Sequence, residues 1–265
     1  MKRYHLIEIE DQAWLPFPLR DSLTDFLTFS AGLSRKPFVH IAEKLTRTLR
    51  TTKSDALIDL GSGGGQPATT LAELVREKGI HNLSLYLTDL HPNTACLNRS
   101  ASKCKAPVTV VDSSVDATNV PHHLRGFRMM NNSFHHLQPP LALKVLQDAV
   151  DQREGIMIFE LFDRSPAVVG NLIGGLIVLF FTAPFMPPFR LSRIIFTYMI
   201  PVIPLLIIWD GLVSGLRVYS QEELRNLVSK VENHESFAWD IGKISVPFHP
   251  TNATYLIGYP NQKDP

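Results

Sequence analysis

The stretch DALIDLGSGGGQPATTLAEL, residues 55–74, constrains the fold of this chain most strongly. Apolar residues lead through Asp59 into GSGGG, and a helical pattern follows. Glycine lets a chain turn tightly and lets ligand atoms approach the backbone. A strand, a glycine loop and a helix in this order are typical of the first turn of a doubly wound α/β sheet. We expect the helix to begin near Gln66 or Pro67, because proline suits a first helical turn.

The rest of the chain continues this alternation of strand and helix patterns. The apolar runs after residue 55 are ALIDL, LSLYLTDL, PVTVVDS, FRMMNNSF and GIMIFELF, and helical patterns separate most of them. Near the C-terminus, FAWDIGKI and ATYLIGYP predict two more strands. Strands that alternate with helices form parallel sheets covered by helices. We therefore predict a doubly wound, mostly parallel seven-stranded sheet with helices on both faces, of the α/β class.

Two regions lie outside this alternating pattern. LRDSLTDFLTF and PFVHIAEKLTRTLR carry apolar residues at helical spacing, which predicts N-terminal helices. After the fifth predicted strand, residues 165–189 and 194–209 contain no charged residue, which predicts an apolar helical insertion. The predicted organisation has three parts: an N-terminal helical cap (1–50), a Rossmann-like ligand-binding domain (51–164 and 215–265) and a hydrophobic helical insertion (165–214).

Composition excludes several classes of function. The chain has 265 residues and is 45% hydrophobic, which is enough for one large domain with an insertion. Its formal net charge is +1 without a basic stripe, so we expect no nucleic-acid partner. Cys96 and Cys104 cannot form a disulfide framework, and no Cys/His spacing predicts a metal site. MKRYHLIEIEDQ lacks the apolar region of a signal peptide, so we expect a cytoplasmic protein.

The run from Asp59 to Gly65, DLGSGGG, resembles the first motif of the class I S-adenosylmethionine (SAM) dependent methyltransferases, D/E-x-G-x-G-x-G. The resemblance continues with Asp89 after the second predicted strand and Asp116 after the third. FRMMNNSFHHLQP resembles the fourth strand of that family, and YSQEELRNLV resembles a late helix start. Together these motifs cover roughly residues 50–163 and 217–260. The chain also looks like uncharacterised bacterial members with a hydrophobic insertion after strand five.

The resemblance implies a SAM-binding site. Gly61, Gly63 and Gly65 would bring backbone against the methionine and ribose groups. Asp59 would orient the loop and the amino group, and an acid at Asp89 would accept the ribose hydroxyls. Asp116 with Ala117 would contact the adenine, and Asn131 would lie beside the sulfonium. The full predicted cofactor-binding set is Asp59, Gly61, Ser62, Gly63, Gly65, Asp89, Leu90, Asp116, Ala117 and Asn131, and no metal ligand is predicted.

Other roles stay open for several of these residues. Asp59 fits a turn cap, Asp89 a helix N-cap and Asp116 a loop N-cap. His135 is the candidate catalytic base, but methyl transfer needs a base only when the nucleophile must lose a proton. A structural role in packing and cofactor contact is the alternative for His135. Glu160, at the end of the fifth predicted strand, is a further candidate for a functional carboxylate.

The insertion predicts contact with a membrane. A bilayer core needs about 20 apolar residues in one helix, and prolines interrupt both uncharged runs. Arg190 and Arg193, in the turn between the runs, favour an interfacial lid on the inner face of the membrane over a spanning hairpin. A soluble cap folded onto the sheet or onto a dimer partner is the alternative. An apolar cover over the acceptor pocket predicts a hydrophobic small-molecule or lipid acceptor.

Three functions are consistent with these patterns. The first is a membrane-associated SAM-dependent methyltransferase. The second is a catalytically inactive SAM-binding scaffold at the membrane. A NAD-dependent Rossmann enzyme is disfavoured, because the loop has GxGxG in place of GxGxxG and two further acids follow it. The oligomeric state is left open by the sequence.

Overall fold

A computed structural model describes residues 2–246 and 250–261 and contains a sheet of seven strands. Strands β1 to β5 pair in parallel, and β7 runs antiparallel between β5 and β6. The order across the sheet is β3-β2-β1-β4-β5-β7-β6. The predicted doubly wound, mostly parallel sheet is therefore confirmed. The strands are β1 (Ala56–Leu60), β2 (Ser84–Thr88), β3 (Val108–Val110), β4 (Phe127–Asn131), β5 (Ile156–Glu160), β6 (Phe237–Ser245) and β7 (Asn252–Pro260).

The helices lie where the periodic patterns predict them. Helix α3 begins at Gln66, directly after the glycine loop. Ser220 and Glu223 form the capping box that starts α9. The helices are α1 (Phe17–Gly32), α2 (Lys36–Thr52), α3 (Gln66–Glu77), α4 (Thr94–Ala101), α5 (Pro139–Asp151), α6 (Val168–Thr182), α7 (Leu191–Ile194), α8 (Val202–Arg217) and α9 (Gln221–Val228), with a π-helical turn at Ile195–Met199 and a 3-10 turn at Phe134–His136.

Both faces of the sheet are buried. Helices α2 and α3 contribute apolar side chains to the layer on one face, and α5 and α9 contribute to the layer on the other. Every residue of β4 and β5 is buried, as expected for the centre of a parallel sheet. The strand order reverses between β1 and β4. The carboxyl ends of these two strands therefore form the switch point where such sheets bind ligands.

The insertion packs against the N-terminal helix α1. A third apolar cluster joins α1 to α6 and α8, and Phe26 and Leu179 are both buried in it. The opposite side of the insertion exposes large apolar side chains, which include Ile173, Ile177, Phe181, Phe185, Phe189, Leu191 and Met199.

Arg190 and Arg193, between the two uncharged runs, point into the protein. Arg193 is fully buried, and its guanidinium donates to the carbonyls of Ala183 and Pro188. Its Nη1 also lies 3.3 Å from Asp25 Oδ2, and Arg190 Nε lies 2.6 Å from the same oxygen. Asp25 is on α1 and only 2% of its side chain is exposed. Both arginines therefore point inward because a buried carboxylate offers them a partner.

Within the described ranges, no single helix is both long and apolar enough to cross a bilayer. One bent pair, Leu191–Met199 with Val202–Arg217, passes by length and composition, with an angle of 81° between its parts.

Candidate functional site

The glycine loop adopts a backbone that favours glycine. Gly61, Gly63 and Gly65 have φ angles of 72°, 52° and 77°, in the left-handed region that other residues rarely occupy. A Cβ at Gly65 would lie 3.1 Å from Leu87 Cδ1. At Gly63, by contrast, no described atom beyond its chain neighbours lies within 4 Å of an ideal Cβ. The loop is therefore tightly packed at Gly65 and unobstructed at Gly63, where a ligand can approach the backbone.

Gly64, which the family motif does not require, is explained by its close contact with α1. A Cβ there would overlap the hydroxyl of Thr28 on α1. The Gly64 carbonyl accepts a hydrogen bond of 2.6 Å from Ser100 Oγ on α4. Helix α1 therefore closes the loop from behind. The fourth glycine was the only sequence signal of this contact.

Asp89 binds the glycine loop directly. Its Oδ2 accepts a hydrogen bond of 2.9 Å from the Gly63 N–H, and its Oδ1 accepts one of 2.9 Å from the His91 N–H. Asn93, and not Asp89, caps α4, because Asn93 Oδ1 accepts from the Cys96 N–H. A carboxylate oxygen has a second lone pair. Asp89 therefore keeps acceptor capacity for a ligand that lies over Gly63.

Asp59 and Asn131 pair at the switch point. Asn131 Nδ2 donates a hydrogen bond of 2.8 Å to Asp59 Oδ1. Burial raises the pKa of Asp59 to about 7, against the lowering effect of the hydrogen bond from Asn131. Asn131 Oδ1 is buried and has no hydrogen-bond partner among the described residues. Since an unpartnered buried acceptor is costly, a ligand with an N–H donor would be stabilised here.

The other predicted cofactor residues lie around this edge of the sheet. Ser62 is buried. Its N–H donates to a carbonyl at the end of β2, and its Oγ donates to a carbonyl near the end of β1. Leu90 is 49% exposed. Asp116 is exposed, and its Oδ1 accepts from the N–H and the hydroxyl of Thr118, so it holds its own turn. Ala117 packs beside the apolar layer of α5 and α9. Their contacts with a cofactor stay predictions.

His135 is held by Glu160. Glu160 Oε1 accepts the His135 N–H at 3.0 Å, and Oε2 lies 2.8 Å from His135 Nδ1. Both side chains are 4% exposed. This contact favours the tautomer with the proton on Nδ1, which leaves Nε2 free to accept. His135 Nε2 lies 3.8 Å from Glu8 Oε1.

The N-terminal segment brings Glu8 and Asp11 to the histidines, which sequence reasoning missed. Asp210 of α8 fixes this segment by accepting the N–H groups of Ile9 and Glu10 at 2.7 and 3.0 Å. Arg217 Nη1 lies 3.0 Å from Glu8 Oε1 and 3.1 Å from Asp11 Oδ2. No local pattern in the sequence predicts a contact across 206 residues.

His136 joins the same cluster. Its Nδ1 lies 3.1 Å from Asp11 Oδ1 and 3.4 Å from Glu8 Oε2. Burial lowers the pKa of His136, but the hydrogen bond to Asp11 and the charges of Glu8 and Asp11 outweigh it and raise the pKa to about 9. The sequence predicts no metal site, yet the structure gathers Glu8, His135 and His136 with potential ligand atoms within 4.8 Å of one another.

Comparisons with known proteins identify the fold. Neither protein-family models nor curated proteins match this chain. The solved structure of the plantazolicin methyltransferase BpumL in complex with S-adenosylhomocysteine (SAH) is similar with a TM-score of 0.55 and 14% identity, over 96% of this chain and 95% of that chain. Its complex with a monoazolic desmethylPZN analog and SAH gives 0.53 and 14%, over 94% and 93%. The chain therefore has the Rossmann-like fold of the class I SAM-dependent methyltransferases.

Proposed function

We propose that this protein is a SAM-dependent methyltransferase. The observation that carries the proposal is the glycine loop at the β1/β4 switch point, which is open at Gly63 and flanked by Asp89 and by the Asp59–Asn131 pair. In SAM-dependent enzymes the bound SAM supplies an electrophilic methyl group on a sulfonium. SAM is cationic at its sulfonium and at its amino group, so two nearby carboxylates and a free amide oxygen suit it.

Each residue of the loop region has a role in this proposal. The backbone at Gly61 and Gly63 lies against the methionine and ribose groups, and Asp89 accepts the ribose hydroxyls. Asn131 Oδ1 accepts from the amino group, which gives this buried oxygen a hydrogen-bond partner. Asp116 and Ala117 contact the adenine. The acceptor is positioned in line with the methyl group, since proximity and orientation supply most of what this reaction needs.

His135 is the proposed proton acceptor for a protic nucleophile. It follows β4, and its Nδ1 is fixed by Glu160, so Nε2 is the atom that accepts. General bases are oriented in this way by a second group. Glu160 acts through His135 and is therefore a positioning residue.

We propose a hydrophobic small-molecule or lipid-like acceptor. Helix α8 of the insertion contacts the Phe134–His136 turn, so apolar and catalytic elements meet there. The reacting end of such an acceptor would face the polar cluster, and its apolar body would lie along the insertion.

We further propose that the insertion docks on the inner surface of the membrane. Its outer side exposes Phe181 (76%), Phe185 (80%) and Phe189 (68%), while its two arginines are paired inward with Asp25. A surface that is apolar and carries its charges inside fits the interfacial layer of a bilayer. Helix α6 has 15 residues, which is short for a span.

Calorimetric titration with SAH tests the cofactor. We expect micromolar binding, no binding of NAD, and at least tenfold weaker SAH binding in Asp89→Ala. The matched control is Asp112→Ala, an exposed acid in the loop after β3, which keeps the parental affinity. Equal SAH affinity in Asp89→Ala, or competition by NAD, would contradict the proposal. SAH binding without SAM turnover on lipid and quinone extracts would favour the inactive scaffold.

Flotation with anionic phospholipid vesicles tests the membrane proposal. We expect the parent to float and Phe181→Ser/Phe185→Ser to remain at the bottom of the gradient. The control is Leu141→Ser, which removes an apolar side chain that is 43% exposed on α5. A parent that stays soluble without detergent and does not float would favour the soluble cap. A dimer detected by light scattering in that case would identify the face as a contact between two copies.

A further inference from the structure

Glu8, His135 and His136 form an arrangement that hydrogen bonding among them does not explain. Glu8 Oε1 lies 3.8 Å from His135 Nε2, and Glu8 Oε2 lies 3.4 Å from His136 Nδ1. Both separations are long for an N–H···O bond. Ligands bound to one ion at about 2.0–2.2 Å in tetrahedral geometry are separated by about 3.3–3.6 Å. The two separations run to different oxygens of Glu8, and one potential ligand atom of each residue lies within 4.8 Å of the others, so the three side chains need only a small shift to reach the spacing of a ligand shell.

The hydrogen bonds around the cluster leave ligand atoms free on two of its members. Glu160 binds His135 Nδ1 at 2.8 Å, so the lone pair of Nε2 faces the Glu8 carboxylate. Ser214 Oγ and Arg217 Nη1 both contact Glu8 Oε1 at 3.0 Å, which leaves Oε2 toward His136. A carboxylate behind a histidine, and hydrogen bonds behind a ligating carboxylate, are the usual second shell of metal sites.

The charge balance allows a cation. The guanidinium of Arg217 opposes it, but the carboxylates of Glu8, Asp11 and Glu160 surround the two histidines. The ion would replace the proton that His136 shares with Asp11 and release it to solvent. Access is open on one side, because the side chains of His136 and Asp11 are 32% and 39% exposed.

We propose that Glu8, His135 and His136 bind one divalent transition-metal ion, with Zn²⁺ as the best match. Two imidazoles and one carboxylate are a ligand set that zinc accepts, with a fourth position left for water or another oxygen ligand. The proposal goes beyond methyl transfer and does not depend on it. In the metal-bound protein His135 Nε2 is a ligand, so this form would not use His135 as the proton acceptor. In this proposal the N-terminal segment supplies one metal ligand, Glu8, at the carboxyl end of β4.

Metal loading of the untagged full-length chain tests this proposal. The protein is stripped with a chelator and dialysed against Zn²⁺ or Co²⁺, and bound metal is measured by mass spectrometry and visible absorption. We expect one ion per chain and the visible bands of tetrahedral Co²⁺. Glu8→Gln and His136→Gln each lower the affinity at least tenfold. The control His122→Gln/His123→Gln, which alters an exposed neighbouring pair, binds like the parent.

Three results would overturn the metal site: no stoichiometric ion in the parent, unchanged affinity in both ligand variants, or loss of binding in the His122/His123 control. Circular dichroism and the unfolding midpoint show whether each variant folds. If Glu8→Gln does not fold, His136→Gln carries the test, because that side chain is partly exposed. SAH titration of the same proteins is a separate readout. Metal loss with unchanged SAH affinity leaves the proposed SAM binding standing.

Discussion

The sheet and the insertion are both rich in apolar residues, yet they distribute them in opposite ways. In the sheet, every residue of β4 and β5 is buried, and the apolar side chains of both strands lie in the two layers beneath the helices. The one cation among these residues, Arg128, pairs with Asp148 of α5 at 2.6 Å. In the insertion, Arg193 is fully buried while Phe181 and Phe185 are more than three-quarters exposed. The comparison teaches that a charge-free run predicts where apolar side chains are abundant but not which of them face inward.

Asp25 explains the inverted pattern of the insertion. Its carboxylate contacts Arg99 of α4 at 3.1 Å, and it also contacts Arg190, just before α7, and Arg193, on α7. A single buried charge therefore joins three parts of the chain. Because a buried guanidinium needs a charged partner, the carboxylate on α1 fixes the direction in which the turn faces.

The largest effect is expected from Asp25→Asn, which would remove the ion pairs that hold the insertion against α1. It leaves two partly or fully buried arginines without their carboxylate, so we expect a loss of about 3–5 kcal/mol in the free energy of unfolding. Asp21→Asn is the matched control, because among the described residues Asp21 forms an ion pair only with Arg190, at 3.1 Å and partly exposed. Such pairs contribute roughly 0–1 kcal/mol. Urea denaturation measures both, and equal losses would refute the special role of Asp25.

A second comparison separates the two faces of α6. Leu179 is fully buried against α1, and Phe181 is 76% exposed. We expect Leu179→Ala to cost about 2–4 kcal/mol through lost contacts and a cavity. Phe181→Ala should change the stability by less than about 0.5 kcal/mol. If thermal unfolding shows comparable losses for the two variants, the outer face is covered in solution.

The buried carboxylate of the sheet gives a pH-dependent prediction. The pKa of Asp59 is raised to about 7 in the folded protein, above its unfolded value near 3.9. The unfolded chain therefore loses this proton first, and the free energy of unfolding falls as the pH rises toward 7. Between pH 5 and pH 7 we expect Asp59→Asn to gain roughly 2–3 kcal/mol relative to the parent.

Denaturation at both pH values measures this gain. Asp55→Asn, at an exposed position just before β1, should keep the pH dependence of the parent. If the unfolding free energies of the parent and of Asp59→Asn change in parallel with pH, Asp59 does not titrate in this range.

The smallest effect concerns the contact between the glycine loop and α1. Gly64→Ala places a methyl group on the Thr28 hydroxyl, and overpacking of this kind costs about 1–3 kcal/mol. Thr28→Ala should restore part of the loss in the double variant. A double-mutant cycle on the unfolding free energy measures the coupling. A coupling of zero would show that α1 does not close the loop.

Local patterns predicted the seven strands, the start of α3 and the capping box of α9, because each depends on residues that are near one another in the sequence. Packing decided the rest. The inward turn of Arg193 depends on Asp25, 168 residues earlier. The cluster at His135 depends on Glu8, which no periodicity or motif singles out. Residue types at the strand ends indicated candidate site residues. No sequence pattern indicated that Glu8, on the distant N-terminal segment, joins the cluster.

The fixing of the N-terminal segment by α8 has a consequence for biosynthesis. The ion pair between Asp11 and Arg217 joins two residues that are made 206 residues apart. At about 5–20 residues per second, the ribosome needs roughly 10–40 s for that stretch. Until α8 has been made, Glu8 and Asp11 lack the guanidinium of Arg217, so the N-terminal segment docks on α8 only late in synthesis.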